Sequence, residues 1–220
     1  MSINCINGSL VKDICRCLSW KQSLIQFYTG VQVLKQKTFC FATAPFIVVI
    51  NMNKQIRISG IINESIVDGP GIRMVVFAQG CRHNCKGCHN PHTHSFDGGE
   101  LIEIEAIVDK VRKNPLLDGV TFSGGEPFEQ AEVFAVLAKR INELGLNVMI
   151  YSGYTFEQLI ELSKVRKGWL ELLKNSKILV DGPFIQEQKD LLLKFRGSAN
   201  QRIIDVENSL ASGNIVDMHL

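Results

Sequence analysis

Three closely spaced cysteines are the residues of this sequence best suited to metal chemistry. Cys81, Cys85 and Cys88 follow the spacing C-x3-C-x2-C within the stretch GCRHNCKGCHN, and no cysteine comes after them. Tetrahedral metal sites take four ligands. The spacing is compatible with a structural zinc ion that recruits a histidine, and with a [4Fe–4S] cluster held by three thiolates.

The fourth ligand distinguishes these two sites. His89, His92 and His94 all follow closely enough in sequence to complete a zinc site. A cluster held by three cysteines needs no further side chain, because its fourth iron can bind a substrate directly. The cysteine spacing alone leaves both alternatives open.

The composition restricts the compartment and the partners. The chain has 220 residues and a net charge of +2, which gives no sign of nucleic-acid binding. Its seven cysteines are odd in number, which argues against a disulfide framework and favours a reducing compartment, so we predict a cytoplasmic protein. No apolar run reaches the ~20 residues of a spanning helix, and we expect no membrane association.

A domain boundary is predicted near residue 52. Residues 1–51 hold five basic residues and one acidic residue and show no clear helical or strand period. They are interpreted as a poorly patterned N-terminal extension: a targeting segment, an accessory region or a translated stretch that is not native. A second metal site using Cys15, Cys17 and Cys40 has poor spacing. Residues 52–220 are predicted to form one domain.

The pattern after residue 52 predicts alternating strands and helices. Phe128, Phe134 and Trp169 are predicted to lie in the core. The order of elements predicts an α/β protein with a mainly parallel, open sheet and crossover helices. Strands are predicted at 72–77, 119–122, 147–151, 177–180 and 201–206, and helices at 101–112, at 128–144 and after an N-cap at Thr155.

Glycine-rich or cysteine-rich loops follow four of the predicted strands. Their sequences are GCRHNCKGC, SGGEP, SGY and DGP. Ligands of parallel sheets bind at the carboxyl ends of the strands. We therefore expect the four loops to converge on one rim of the sheet.

Two of these motifs resemble those of radical S-adenosylmethionine (SAM) enzymes. The three cysteines match the C-x3-C-x2-C signature of that superfamily, and SGGEP at residues 123–127 matches its GGE-type motif. Gly87 departs from the pattern, because the position before the third cysteine is often aromatic. That difference puts in doubt an aromatic contact to adenine at this position.

Two further motifs are similar to those of glycyl-radical activating enzymes. DGPGIR at residues 68–73, running into VVFAQGC, looks like that class as a whole. DGPF at 181–184 and FRGSANQR at 195–202 look like the branch that activates anaerobic (class III) ribonucleoside-triphosphate reductase. The absence of a ferredoxin-like cysteine insert after Cys88 favours the same branch. The resemblance covers about residues 52–206.

The resemblance implies a partial (βα) barrel of the radical SAM type and two cofactors, a [4Fe–4S] cluster and SAM. The three cysteines would hold three irons, and the amino and carboxylate groups of SAM would chelate the fourth. The roles of Arg73, Arg196 and Arg202 stay open between ion pairs, SAM and the partner. The predicted SAM contacts are Gly87, Cys88, His89, Gly124, Gly125, Glu126 and Ser152.

The function implied by the resemblance is glycyl-radical formation on a protein. The partners would be the anaerobic ribonucleoside-triphosphate reductase and an electron donor such as flavodoxin, with no nucleic acid and no membrane. A radical SAM enzyme acting on a small molecule, of the carboxy-deazaguanine synthase type, is the nearest alternative. A structural zinc-binding module is a further alternative, of a different class.

Overall fold

The computed structural model describes residues 31–33, 49–51, 54–218 and 220, and the chain divides into two units, Met1–Met52 and Asn53–Leu220. In the first unit, β1 (Val31–Val33) pairs antiparallel with β2 (Val49–Asn51). The interpretation of residues 1–51 as an extension outside the native protein stays a prediction. The candidate second metal site lies outside the described residues.

A seven-stranded sheet is the framework of the second unit, within the described residues 54–218. The strand order across the sheet is β5-β3-β4-β6-β7-β8-β9. The strands are β3 (Gln55–Ser65), β4 (Arg73–Ala78), β5 (Glu100–Glu103), β6 (Gly119–Gly124), β7 (Asn147–Tyr151), β8 (Ile178–Asp181) and β9 (Arg202–Asp205).

The three predicted helices are present, and two further short helices, Trp169–Lys174 and Val206–Ser212, were not predicted. Within the same described range, 3-10 turns lie at Pro91–Thr93, Pro127–Gln130 and Gln186–Gln188. No helix among the described residues has the length and apolar character to cross a membrane. The α-helices are α1 (Ile104–Lys113), α2 (Ala131–Glu143), α3 (Phe156–Ser163), α4 (Trp169–Lys174) and α5 (Val206–Ser212).

The sheet is parallel only in its centre. Strands β4, β6, β7 and β8 pair in parallel, whereas β3 pairs antiparallel with β4 and β5, and β9 pairs antiparallel with β8. The predicted α/β class is confirmed, but the sheet is mixed rather than mainly parallel, because three of its six strand pairings within residues 54–218 are antiparallel. Residues 66–72 join β3 to β4 and are too few for the crossover that a parallel pair requires. A partial barrel stays a prediction.

Local differences from the prediction occur where edge pairing overrides helical periodicity. Leu101 belongs to β5 rather than to a helix, because it pairs with Arg57 of β3, and the helix begins at Ile104. The predicted start of α3 is confirmed, since Thr155 caps it and forms a capping box with Gln158. Strand β3 was missed altogether.

The core lies between the central strands and the helices that cover them. Phe128, Phe134 and Trp169 are buried there, as predicted. Phe122 of β6 contacts Phe134 of α2 edge to face, with ring centroids 4.8 Å apart. This packing fixes the helices against one face of the sheet and keeps the carboxyl ends of the parallel strands in line.

Arg73, at the start of β4, is a fully buried cation. Its guanidinium donates to the Thr121 hydroxyl (2.7 Å) and to the carbonyls of Val120 (2.9 Å), Asn147 (3.2 Å) and Pro70 (3.3 Å). Burial lowers its pKa to about 10, so it remains charged at neutral pH. The described hydrogen bonds of Arg73 go to these protein oxygens and not to the Asp68 carboxylate, so Arg73 ties three segments of the unit together.

We predict that Arg73→Met lowers the free energy of unfolding by about 2–4 kcal/mol, because several buried oxygens lose a charged donor. Urea unfolding of the apoprotein measures the change. Arg112→Met on the exposed face of α1 is the matched control and is expected to change the value by less than about 0.5 kcal/mol. Equal effects of the two substitutions would contradict the role of Arg73.

Candidate functional site

Loops at the carboxyl ends of β4, β6, β7 and β8 enclose a cavity of about 520 Å³. This convergence was predicted from the strand order and is confirmed. All three cysteines of the motif face the cavity. The loops after the other strands contribute Ser123, Gly124, Gly125, Ser152, Gly153 and Gly182 to its wall.

The cysteine loop is closed at its base by backbone hydrogen bonds. The Gly80 N–H donates to the Thr93 carbonyl (2.8 Å), and the Cys81 N–H donates to the His94 carbonyl (3.1 Å). Residues 80–94 therefore leave the end of β4 and return beside it. The closure holds the cysteines next to the sheet although the loop contains no strand.

The three thiols are free and half-buried in the cavity wall. Burial raises the pKa of the Cys81 thiol to about 11. Metal ligation requires the thiolate, so binding at Cys81 must displace a proton. The Asn90 N–H lies 3.4 Å from the Cys88 sulfur, in the position of a donor that tunes a sulfur ligand.

The histidines do not complete a single-ion site. His89 lines the cavity and packs against Phe184 with ring centroids 4.8 Å apart, whereas His92 and His94 are not part of the lining. Among the described residues, no three cysteine, histidine or acidic side chains converge closely enough to hold one metal ion. A closed zinc site would bring its ligand sulfurs to about 4 Å from one another, given Zn–S bonds of about 2.3 Å.

The SGGE loop packs directly on the strand that precedes the cysteines. The Gly125 N–H donates to the Ala78 carbonyl, and the Glu126 N–H to the Gly80 carbonyl, both at 2.8 Å. Gly124 has a φ of +87°, and a Cβ on Gly125 would lie 2.5 Å from the Gly80 oxygen. Glycine is required at both positions for this close approach. Both glycines also line the cavity.

Glu126 is buried, with 1% of its surface exposed, and it does not line the cavity. Its carboxylate accepts from the Ser152 hydroxyl (3.1 Å), the Gly153 N–H (2.9 Å) and the Phe128 N–H (3.1 Å). His83 Nε2 lies 3.0 Å from Oε2 of the same carboxylate. The predicted contact of Glu126 with SAM stays a prediction, and the described partners are all protein groups.

His83 is a site residue that the sequence did not reveal. It lies between two of the cysteines in the sequence. Its side chain is turned inward, against Tyr154 at a ring-centroid distance of 4.3 Å and against the Glu126 carboxylate. No spacing rule connects residues 83 and 126, so only the tertiary structure identifies the contact.

Of the remaining residues that were predicted to contact SAM, three line the cavity and one does not. Cys88, His89 and Ser152 line the cavity, and Gly87 does not. Gly87 adopts a φ of +71° in a turn and packs against the Gln186 side chain. This conformation and this close packing explain why glycine occupies the position. The roles of these residues toward SAM stay predictions.

The second pair of motifs forms one packed unit at the side of the cavity. The Gln201 side chain accepts from the Gly197 N–H (2.8 Å) and donates to the Gly182 carbonyl (3.0 Å). Arg196 donates to the Gln201 carbonyl (3.0 Å) and lines the cavity. DGPF and FRGSANQR are therefore joined through Gln201. Of the three arginines whose roles the sequence left undecided, Arg196 is the one that lines the cavity.

Arg202 is engaged in an ion-pair network. It donates to Asp181, which is buried, and forms a bidentate pair with the exposed Glu157, with donor–acceptor distances of 3.1 and 2.9 Å. The hydrogen bond from Arg202 lowers the pKa of Glu157 from 4.5 to about 2, and the two carboxylates raise the pKa of Arg202. Arg202 thus joins β9 to the end of β8 and to α3.

Comparison with known proteins adds the family. Residues 67–204 match the family model described as "4Fe-4S single cluster domain". The anaerobic ribonucleoside-triphosphate reductase-activating protein of Vibrio cholerae is 37% identical over 146 residues, which are 63% of this chain and 90% of the relative. That of Haemophilus influenzae is 35% identical with the same coverage. The chain belongs to the family of anaerobic ribonucleoside-triphosphate reductase-activating proteins.

Two further likenesses cover a smaller share of the chain. The pyruvate formate-lyase-activating enzyme of Clostridium pasteurianum is 41% identical over 114 residues, which are 49% of this chain and 48% of that enzyme. The crystal structure of QueE from Escherichia coli has a TM-score of 0.36 and 17% identity, over 46% of this chain and 53% of its own. That structural likeness is too low to bear on fold or function.

We predict that Glu126→Gln lowers the free energy of unfolding of the apoprotein by about 1–3 kcal/mol, because a side-chain NH₂ would face the Gly153 N–H. Urea unfolding measures the loss. Glu132→Gln removes an exposed carboxylate from the same region and is the control. Equal stabilities of the two variants would show that the hydrogen bonds of the buried Glu126 carboxylate do not stabilise the fold.

A pH dependence follows from the pair between Glu157 and Arg202. The lowered pKa of Glu157 means that its contribution to stability is complete above about pH 4.5 and is lost as pH falls towards 2. We expect Glu157→Gln to be about 0.5–1 kcal/mol less stable than the wild type at pH 6. Urea unfolding at pH 6, 4.5 and 3 should show this difference shrinking in acid, and a constant difference would contradict the pair.

Proposed function

We propose that this chain is an activating enzyme that forms a glycyl radical on an anaerobic ribonucleoside-triphosphate reductase. The observation that carries the proposal is the cavity in which the three free thiols face the glycine-rich loop of residues 123–125, in a chain of this family. Cys81, Cys85 and Cys88 would hold a [4Fe–4S] cluster, and SAM would bind beside it.

The donor set fits such a cluster. Three free, half-buried thiols line one cavity, which suits three ligands that each bind a different iron of one cluster. Bound there and reduced, the cluster would supply one electron to cleave the S–C5′ bond of SAM, and the resulting 5′-deoxyadenosyl radical would take a hydrogen atom from a glycine Cα of the reductase. The open fourth position is what distinguishes a catalytic metal centre from a structural one.

The chain's own residues would position and enclose the cofactors. Gly124 and Gly125 provide backbone in the wall of the cavity, and their close packing on the end of β4 and on Gly80 holds that backbone in place. Ser152 and Arg196 provide a hydroxyl and a cation in the same wall, suited to the polar groups of an amino-acid ligand. No general acid–base pair is needed, because hydrogen-atom transfer moves no separate proton.

The wider biological setting is part of the same proposal. The electron donor would be a flavodoxin or a similar carrier, and the reaction would take place in the cytoplasm. The sheet would curve as a partial (βα) barrel around SAM. These parts are supported by the sequence motifs alone.

The test uses the full chain, reconstituted anaerobically with iron and sulfide, mixed with SAM, dithionite and a purified anaerobic ribonucleoside-triphosphate reductase. We expect about four irons per chain and a glycyl-radical signal in electron paramagnetic resonance. Cys85→Ala should lose at least about nine-tenths of the signal, because it removes a ligand. Cys40→Ala, a cysteine outside the motif, should keep the signal.

Three other outcomes would contradict the proposal. A colourless protein holding one zinc per chain would make it a zinc module. Release of 5′-deoxyadenosine without a glycyl radical on the reductase would favour the small-molecule enzyme. A signal retained in Cys85→Ala would remove the cysteine motif from the chemistry.

A further inference from the structure

Two exposed aliphatic segments flank the cavity. Ile66 and Val67, in the bend after β3, are 75% and 72% exposed. Leu191 and Leu192, after the last 3-10 turn, are 86% and 91% exposed. We call these four residues the collar. Val67 itself lines the cavity, and so do Leu193 and Phe195, which follow the two leucines.

Exposed aliphatic residues are common singly but not as adjacent pairs around one opening. Elsewhere in the described part of the chain, large exposed hydrophobic residues such as Leu116 and Val165 occur one at a time. The collar places four apolar side chains in water beside the cavity that holds the cysteines. Burial against a partner would remove that apolar area from water, which favours association.

The second collar segment is held at its base. Residues 190–197 form a loop closed by a bridge between Lys189 and Ser198 and by a hydrogen bond from the Ala199 N–H to the Gln188 carbonyl (2.9 Å). Leu191 and Leu192 lie within this loop and are exposed. The two leucines therefore extend from a closed base.

The backbone conformation of Phe195 indicates that the second collar segment has a function. Its φ of +55° is unusual for a bulky residue, and such conformations persist where the surroundings impose them. The ring packs against the cluster formed by Met149, Ile178, Val180 and Ile203 and also lines the cavity. Phe195 thus anchors the loop to the cavity wall and leaves the leucines outside.

We propose that the collar docks an apolar segment of the protein substrate and guides its glycine into the cavity between the two loops. This rests on the proposed function. The occupant is argued from continuity: a glycine Cα can reach the cavity only if the chain that carries it crosses the surrounding surface. The neighbours of that glycine would therefore contact Ile66, Val67, Leu191 and Leu192, which provide apolar side chains beside the cavity.

The test compares two double variants of the reconstituted enzyme. Leu191→Ser with Leu192→Ser removes half of the collar, and neither side chain lines the cavity. Leu116→Ser with Val165→Ser is the matched control, because it removes two exposed aliphatic residues away from the cavity. Each variant is titrated against the reductase, and the glycyl radical is measured. Release of 5′-deoxyadenosine without reductase reports on the cofactor site.

We expect the collar variant to need at least about tenfold more enzyme than the wild type for half-maximal radical formation. Release of 5′-deoxyadenosine without reductase should stay within about twofold of the wild type, and the control should match the wild type in both measurements. Ile66→Ser is a second, independent variant and should weaken radical formation in the same direction. Together these results would support the collar as the docking surface.

The contrary results are distinct. If collar and control variants titrate alike while the wild type forms the radical, the docking proposal is wrong and the proposed function stands. If release of 5′-deoxyadenosine falls in step with the radical, the leucines belong to the cofactor site and not to docking. Self-association of the wild type that the collar variant loses, seen by sedimentation, would make a second copy the occupant. A wild type that forms no radical refutes the function and the collar together.

Discussion

The buried carboxylate of Glu126 is the interaction on which the candidate site depends. Burying a carboxylate costs free energy unless donors surround it, and this one has the Ser152 hydroxyl, two backbone N–H groups and the His83 ring. These donors belong to the cysteine loop, to the loop after β7 and to the 3-10 turn that directly follows Glu126. Satisfying one charge therefore fixes the cysteine loop and the loop after β7 to the segment that carries Glu126.

The register of the sheet explains why these segments meet. Ala78 pairs with Gly124, so the cysteine loop and the SGGE loop leave neighbouring parallel strands at the same level. Their backbones then run in contact, and only glycine fits at Gly124 and Gly125. Both glycines also line the cavity, so backbone held in this way forms part of its wall.

Sequence reasoning was effective where the pattern is local and failed where tertiary contacts decide. Alternating apolar runs and glycine-rich ends predicted the central strands and the convergence of their loops. Strand β3 lacks that signal, because Ile56 and Ile58 are buried but its later half is largely exposed and interrupted by bulges. The contact of His83 with Glu126 and the buried position of Arg73 depend on neighbours far along the chain, and no spacing encodes them.

The walls of the cavity differ in how they are held. The wall at the carboxyl ends of β6 and β7 rests on the buried carboxylate of Glu126, which accepts hydrogen bonds from the loop after β7 and contacts His83 of the cysteine loop. The other wall includes the loop of residues 190–197, whose base is closed and whose Phe195 is packed, but whose Leu191 and Leu192 are exposed. A cofactor that must be aimed within a fraction of an ångström requires a wall held from several sides, as the first one is. A protein segment that must enter and leave is better met by exposed side chains such as those beside the second wall.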